Sequence, residues 1–381
     1  MKKIISIVLA LTMVFALAAC GGSSAAPAAE KPAEAAPAPE AAAAGKSAYG
    51  DVTAAKEYNF ILIVKSMSSD FWRAAVGGAE DEAKVLGVNV TCQGPSSNTD
   101  IADQVQMLNN AINSFPDGIA IAASDASAVM DSLQDAKDAG IPVICFNSGV
   151  PNAPEGSVFA TAKTDNYNAG GIAATNVFEA VKDQIAGASA PVRIGLVNQD
   201  VTSDSVINRG LGFIDTMIDL VTAAGKTVAV IGSDKYVADC KDAGNADTAD
   251  VIIEVRVPAS ATSELCATEA GVLLNKEDLI AIMGTNQETA AGIVTADETI
   301  GKLGKSVVGA GFDSGAAVAG AVESGKLLGA VTQSPRFQGQ IAIDLLTMIA
   351  NGEEVHDEET PACWYTAENM NDPEIAPNIQ R

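Results

Sequence analysis

Polar side chains gather in short clusters that each close an apolar run, and these clusters carry the chemistry open to this chain. The sharpest is Val307-Val308-Gly309-Ala310-Gly311-Phe312-Asp313-Ser314, which reads as a buried strand ending in an aspartate, with a helix straight after. Ser69 with Phe71 and Trp72, Ser124-Asp125, Asn147-Ser148, Thr285-Asn286 and Thr332-Gln333 follow other apolar runs in the same way. At the carboxyl ends of strands in an open α/β sheet, such residues face the crevice where these sheets bind ligands. Arg209 stands near the amino end of a helical segment, where positive charge is unfavourable without a partner, so a carboxylate or a ligand is expected beside it. Asp313 and Asn286 also fit helix caps. A cap at Asp313 would serve the helix that follows it, with one carboxylate oxygen left for the crevice. If Asp313 serves the ligand, Asp313→Ala removes binding and leaves the melting temperature of the unliganded protein nearly unchanged; a large fall in that temperature would instead support the cap. Asp125 fits two roles equally well, a ligand contact or the end of its own turn.

Bond-making chemistry finds little to work with. There is one histidine, His356, in an acidic segment near the carboxyl end. No nucleophile–base pair and no phosphate loop can be picked out, and Gly309-x-Gly311 lacks the third glycine of a dinucleotide fingerprint. Cysteines 92, 145, 240, 266 and 363 form no C-x-x-C pair, so a metal or redox site has no support and no cofactor is expected. Cys92 and Cys145 read as core. Cys240 lies within a segment rich in Asp, Gly and Ala at 233–250, read as a surface insertion, and Cys266 lies beyond it; the two fit either a disulfide or two separate thiols. The formal net charge of −25 argues against nucleic acid, which needs a basic face.

The elements that must position these clusters alternate. Apolar runs at 59–64, 88–92, 119–122, 142–146 and 158–161 are separated by helical segments, the first of which has a small-residue face of Ala74, Ala75, Gly78, Ala79 and Ala83. After a helix at 165–181, a second series of strands follows at 193–197, 227–231, 251–255, 279–283, 307–313 and 328–332. Continuous apolar runs suit strands buried on both faces of a parallel sheet, and the alternation implies right-handed βαβ units. The expected fold is α/β, with two Rossmann-like lobes of parallel sheet covered by helices on both faces.

The amino terminus reads as an address. Lys2 and Lys3 precede an apolar run at 4–16, and Leu17-Ala18-Ala19-Cys20 supplies small residues before a cysteine. This resembles the lipobox of bacterial lipoproteins, which implies a signal peptide at 1–19, lipidation of Cys20 and tethering by acyl chains to the outer face of a membrane. Residues 20–56, rich in Ala, Pro and Glu, then form a flexible spacer. Two α/β lobes on such a tether suggest a cleft that closes on a small molecule.

The clusters taken together resemble the type I periplasmic sugar-binding proteins, in their ribose-binding-like branch. Ser68-Ser69-Asp70-Phe71-Trp72, Ser124-Asp125-Ala126-Ser127-Ala128, Pro142 through Asn147, Arg209-Gly210-Leu211-Gly212-Phe213, Thr285-Asn286-Gln287-Glu288-Thr289-Ala290, Gly309-Ala310-Gly311-Phe312-Asp313 and Thr332-Gln333-Ser334-Pro335 carry the match in order over some 300 residues. The resemblance implies three crossings between the lobes, near Asp165-Asn166, near Gln333-Ser334 and around Cys363-Trp364. Residues 57–166 plus 334–363 then form the amino-terminal lobe, and 167–333 plus 364–381 the other. It places Ser69, Phe71, Trp72, Asp125 and Asn147 on the first lobe's side of the cleft, and Arg209, Asn286, Asp313 and Gln333 on the second lobe's side or hinge. Planar Asp, Asn, Arg and Gln groups can each bond two neighbouring sugar hydroxyls, while aromatic rings cover the C–H faces. Ser148 stands where relatives often carry Arg, which puts ribose itself in doubt. The implied partners are a sugar-like ligand and the permease of an ABC importer, with the chain acting as a monomer. A sensing component with the same cleft, or a site for a nucleoside or another non-sugar molecule, remains the alternative.

Overall fold

The computed structural model describes residues 47–381; the signal segment, Cys20 and most of the spacer lie outside the described residues. The first sheet opens with β1 (Asn59–Ile63), β2 (Asn89–Gln93), β3 (Gly118–Ile121), β4 (Val143–Phe146) and β5 (Thr161–Lys163), joined through α1 (Asp70–Leu86), α2 (Ile101–Asn113) and α3 (Met130–Asp138). Helix α4 (Asn166–Gly187) leads to the second sheet: β6 (Val192–Val197), β7 (Val228–Ile231), β8 (Val251–Arg256), β9 (Leu279–Gly284), β10 (Val308–Phe312) and β11 (Leu327–Gln333). Between these run α5 (Asp204–Ala223), α6 (Asp234–Asp239), α7 (Ser263–Leu274), α8 (Gln287–Ile300) and α9 (Ala316–Glu323). The chain returns through α10 (Pro335–Asn351) and β12 (Glu358–Glu359), then ends on β13 (Ala362–Tyr365) and a carboxyl-terminal tail.

The strand orders are β12-β5-β4-β3-β1-β2 and β13-β11-β10-β9-β6-β8-β7, every pairing parallel except β11 with β13. Each sheet is buried on both faces, which is why its strands read as apolar runs without alternation. The chain is therefore two parallel-sheet α/β lobes. The third crossing comes earlier than expected: Cys363 pairs with Thr332 and Trp364 with Val331 in the second sheet, so the chain changes lobes between Glu359 and Ala362.

One local expectation is corrected and one open alternative is settled. The 233–250 segment is not wholly surface: it contains α6, whose Tyr236 is fully buried and bonds the Asn198 side chain at the end of β6. Cys240 and Cys266 are separate thiols. Cys240 packs with the cluster around α5, whereas Cys266 is buried between α7 and α8 against Gly292, on the other face of the sheet. No helix among the described residues is long and apolar enough to cross a membrane.

The spacer's last ten residues lie on the first lobe, because their backbone donors find buried carboxylates. Ala48 N–H donates to Glu82 Oε1 and Tyr49 N–H to Asp344 Oδ2, each at 3.0 Å. Ala55 N–H donates to Asn351 Oδ1, also at 3.0 Å. Burial, and then the neighbouring Glu82 carboxylate, push the Asp344 carboxyl above its usual range. A raised carboxyl pKa means that the folded state keeps a proton the unfolded chain gives up. The stabilisation is therefore full at acid pH, below the unfolded pKa, and is lost as pH rises through the folded one. Asp344→Asn is expected to raise the melting temperature at pH 8 by a few degrees, the equivalent of about 1–2 kcal/mol, and to change it little at pH 4. Thermal melts at the two pH values check this.

Candidate functional site

Where the carboxyl ends of both sheets face each other, the lobes enclose a small cavity. Its second-lobe wall is built on a buried ion pair. Arg209 projects from the second turn of α5, and its Nη1 lies 3.7 Å from Asp313 Oδ2. The same guanidinium donates to Asn166 Oδ1 at 2.8 Å and to the Thr285 carbonyl at 3.2 Å, and it stacks 4.1 Å from the centroid of Phe312. Burial lowers the Arg209 pKa and raises that of Asp313, each opposed by the other's charge. The unfavourable helix-start arginine has found its carboxylate.

Asp313 does not cap the helix that follows it. Helix α9 begins at Ala316, with Gly315 as its cap residue. Asp313 sits in the left-handed region at φ 63°, which Asp tolerates better than most residues. From there it accepts Gln333 Nε2 at 2.6 Å and the backbone N–H of Gln287, the first residue of α8. The carboxyl-terminal tail holds it from behind: Tyr365 Oη donates to the Asp313 carbonyl at 2.9 Å, and Gln380 bonds Ser314. Asn286 combines both expected roles. It is the cap of α8, in a reciprocal capping box with Thr289, and it also lines the cavity beside Gln199.

The first-lobe wall is aromatic and polar. Ser69 caps α1 and sets Phe71 and Trp72 in the first turn, ring centroids 4.9 Å apart at 83°. Both rings line the cavity. Trp72 Nε1 donates to Asn98 Oδ1 at 2.7 Å, and the Asn98 and Ser69 side chains hydrogen-bond Glu288 from the other lobe. Burial pushes the Glu288 carboxyl up to about 7. Asn147, at φ 59°, donates to Gln338 Oε1 at 3.1 Å and to Gln333 Oε1 at 3.4 Å, tying the end of β4 to the crossing strand. Between the lobes, Phe71 N–H donates to Gln287 Oε1 at 3.0 Å and Lys163 pairs with Asp204 at 2.8 Å.

The structure thus brings Ser69, Phe71, Trp72, Asn147, Arg209, Asn286, Asp313 and Gln333 to one cavity. It does not bring Asp125 there. That carboxylate accepts the N–H groups of Ser127 and Ala128 at 2.7 and 2.9 Å, closing its own turn beside a separate surface hollow. Sequence reasoning missed Lys65, Asn98, Gln199, Ser205, Val206 and Glu288. Lys65 and Gln199 stand just past β1 and β6, so the strand-end rule that found Asp313 could have found both.

The family model described as periplasmic binding protein domain matches residues 60–354. The chain is 24% identical over 300 residues to the ribose import binding protein of Bacillus subtilis (strain 168), covering 79% of this chain and 84% of that protein. It is 26% identical over 302 residues to the D-allose-binding periplasmic protein of Escherichia coli (strain K12), covering 77% and 84%. Among solved structures, an ABC transporter solute-binding protein from Agrobacterium vitis with bound D-fucose matches with a TM-score of 0.69 at 27% identity, over 84% of this chain and 99% of that one.

Proposed function

This chain belongs to the periplasmic binding protein domain family, and from that membership we propose that it is the substrate-binding component of an ABC-type importer, taking a monosaccharide or related polyol into its interlobe cleft. It is a binding protein and not an enzyme. One observation carries the reading: planar hydrogen-bonding side chains of both lobes converge on a cavity that the Phe71 and Trp72 rings also line. Asp313, Arg209, Asn286, Asn147 and Gln333 can each serve two adjacent hydroxyls, and the rings suit the C–H faces of a sugar. The relatives' named ligands, ribose and D-allose, are of this class.

The importer reading adds three parts: a signal peptide at 1–19, a lipid on Cys20 holding the chain at the extracytoplasmic face, and a permease that receives the ligand from the closed lobes. Thermal shift of the protein against a panel of aldoses, polyols, sugar acids and nucleosides tests the binding claim. At 100 times Kd a ligand stabilises by about 2.7 kcal/mol, so at least one sugar or polyol is expected to raise the melting temperature measurably. A response to nucleosides alone would replace the sugar reading, and silence across the panel would sink it.

A further inference from the structure

We propose that the ligand carries an anionic group, so that it is a sugar acid rather than a neutral sugar, and that Lys65 receives its carboxylate. This rests on the sugar-binding reading above and narrows it. Lys65 follows β1 into the cavity wall and is 3% exposed. Its ammonium donates only to hydroxyls, Ser203 Oγ and Ser205 Oγ, the latter at 3.1 Å. Lys65 and Arg209 are the two buried cations among the described residues. Arg209 has Asp313; Lys65 has no carboxylate at ion-pair distance.

The acidic groups that face Lys65 are committed elsewhere. Asp200 accepts the N–H groups of Thr202 and Ser203 at 3.0 and 2.8 Å and Gln199 Nε2 at 2.6 Å. Asp204 pairs with Lys163 at 2.8 Å and also accepts Asn208. Asp313 is shared between Gln333 and Arg209, and Arg209 itself adds positive charge to the surroundings of Lys65. A buried ammonium with no carboxylate at ion-pair distance is costly, and a ligand carboxylate can supply one. Neutral hydroxyls can accept from Lys65, yet they bring no charge to ion-pair distance of it.

Isothermal titration calorimetry on the full chain at pH 7, with matched pairs such as galactose and galacturonate, glucose and glucuronate, or ribose and ribonate, tests the assignment. At least one acid is expected to bind about 100-fold more tightly than its neutral partner, the scale of a desolvated charge pair. Lys65→Met should collapse that ratio to within a few-fold, and Lys65→Arg should keep it. Burial holds the Lys65 pKa down to about 8 against the opposing charge of Asp200, so affinity for the acid should fall between pH 7 and 9.5 as the ammonium is lost. Neutral sugars that bind as tightly as their acids would overturn the proposal and leave the sugar reading standing. An acid preference that survives Lys65→Met would overturn the role of Lys65. Absence of binding by every member of every pair would remove the sugar reading and this inference with it.

Discussion

Asp313→Ala is expected to weaken ligand binding by about 100-fold or more and, in the same variant, to lower the stability of the unliganded protein by about 3–5 kcal/mol. The second effect departs from the nearly unchanged melting temperature expected of a pure ligand contact, and it exceeds the roughly 1 kcal/mol that loss of a helix cap costs. With the carboxylate gone, Gln333 and the N–H of Gln287 lose an acceptor. The guanidinium of Arg209, 2% exposed, then keeps only Asn166, a carbonyl and the face of Phe312. Removing one member of a buried pair leaves an uncompensated charge, and the loss exceeds what the pair itself contributes. Alanine is also less at ease than aspartate at φ 63°. Asp313→Asn separates the two effects: it retains the left-handed backbone and an acceptor for Gln333 but gives up the charge. Titration with a ligand found by the panel, and urea melts without ligand, measure both. A wild-type melting curve for Asp313→Ala would mean that Arg209 and Asp313 are not paired in the free protein.

The misreading at Asp313 shows where sequence is legible and where it is not. A strand buried on both faces is a run of apolar residues, and its end is the first polar residue after it. Both are local facts, so seven of the eight cavity residues could be listed from strand ends, with Arg209 added from its helix start. What a strand-end carboxylate bonds is not local. Asp313 ignores the helix three residues ahead of it and accepts from α8, a sheet neighbour's helix, because the left-handed backbone turns its side chain that way. Asp125, with the same appearance in sequence, turns to its own next two amides and never reaches the cavity. Lys65 escaped notice because a lysine ending a strand reads as solvent-bound, and only the approach of Ser203 and Ser205 from the other lobe buries it. The third crossing was misplaced because β13 pairs antiparallel with β11, a return that no βα alternation announces.

Gly339→Ala is expected to destabilise the first lobe by about 3 kcal/mol or more, although alanine is the better helix former by about 1 kcal/mol. A Cβ at Gly339 in α10 would lie 1.9 Å from the carbonyl oxygen of Ala75 in α1, and one at Gly78 in α1 would lie 2.0 Å from that of Arg336. The two helices cross backbone to backbone, and a main-chain carbonyl cannot swing aside as a long side chain would. The small-residue face read from α1 alone finds its partner more than 250 residues later, which is why the face was legible and the crossing was not. The crossing also aims the site. Helix α1 starts with Phe71 and Trp72, and α10 carries Gln338, which accepts from Asn147. Prising the helices apart therefore shifts two parts of the first-lobe wall together, and ligand affinity should fall even at temperatures where the variant remains folded. Gly320 in α9 supplies the contrast, since nothing lies within 4 Å of a Cβ built there. Gly320→Ala should stabilise by up to about 1 kcal/mol and leave affinity unchanged. Urea melts and ligand titrations of the two variants side by side separate contact from propensity: the same glycine-to-alanine change should carry opposite signs in the two helices.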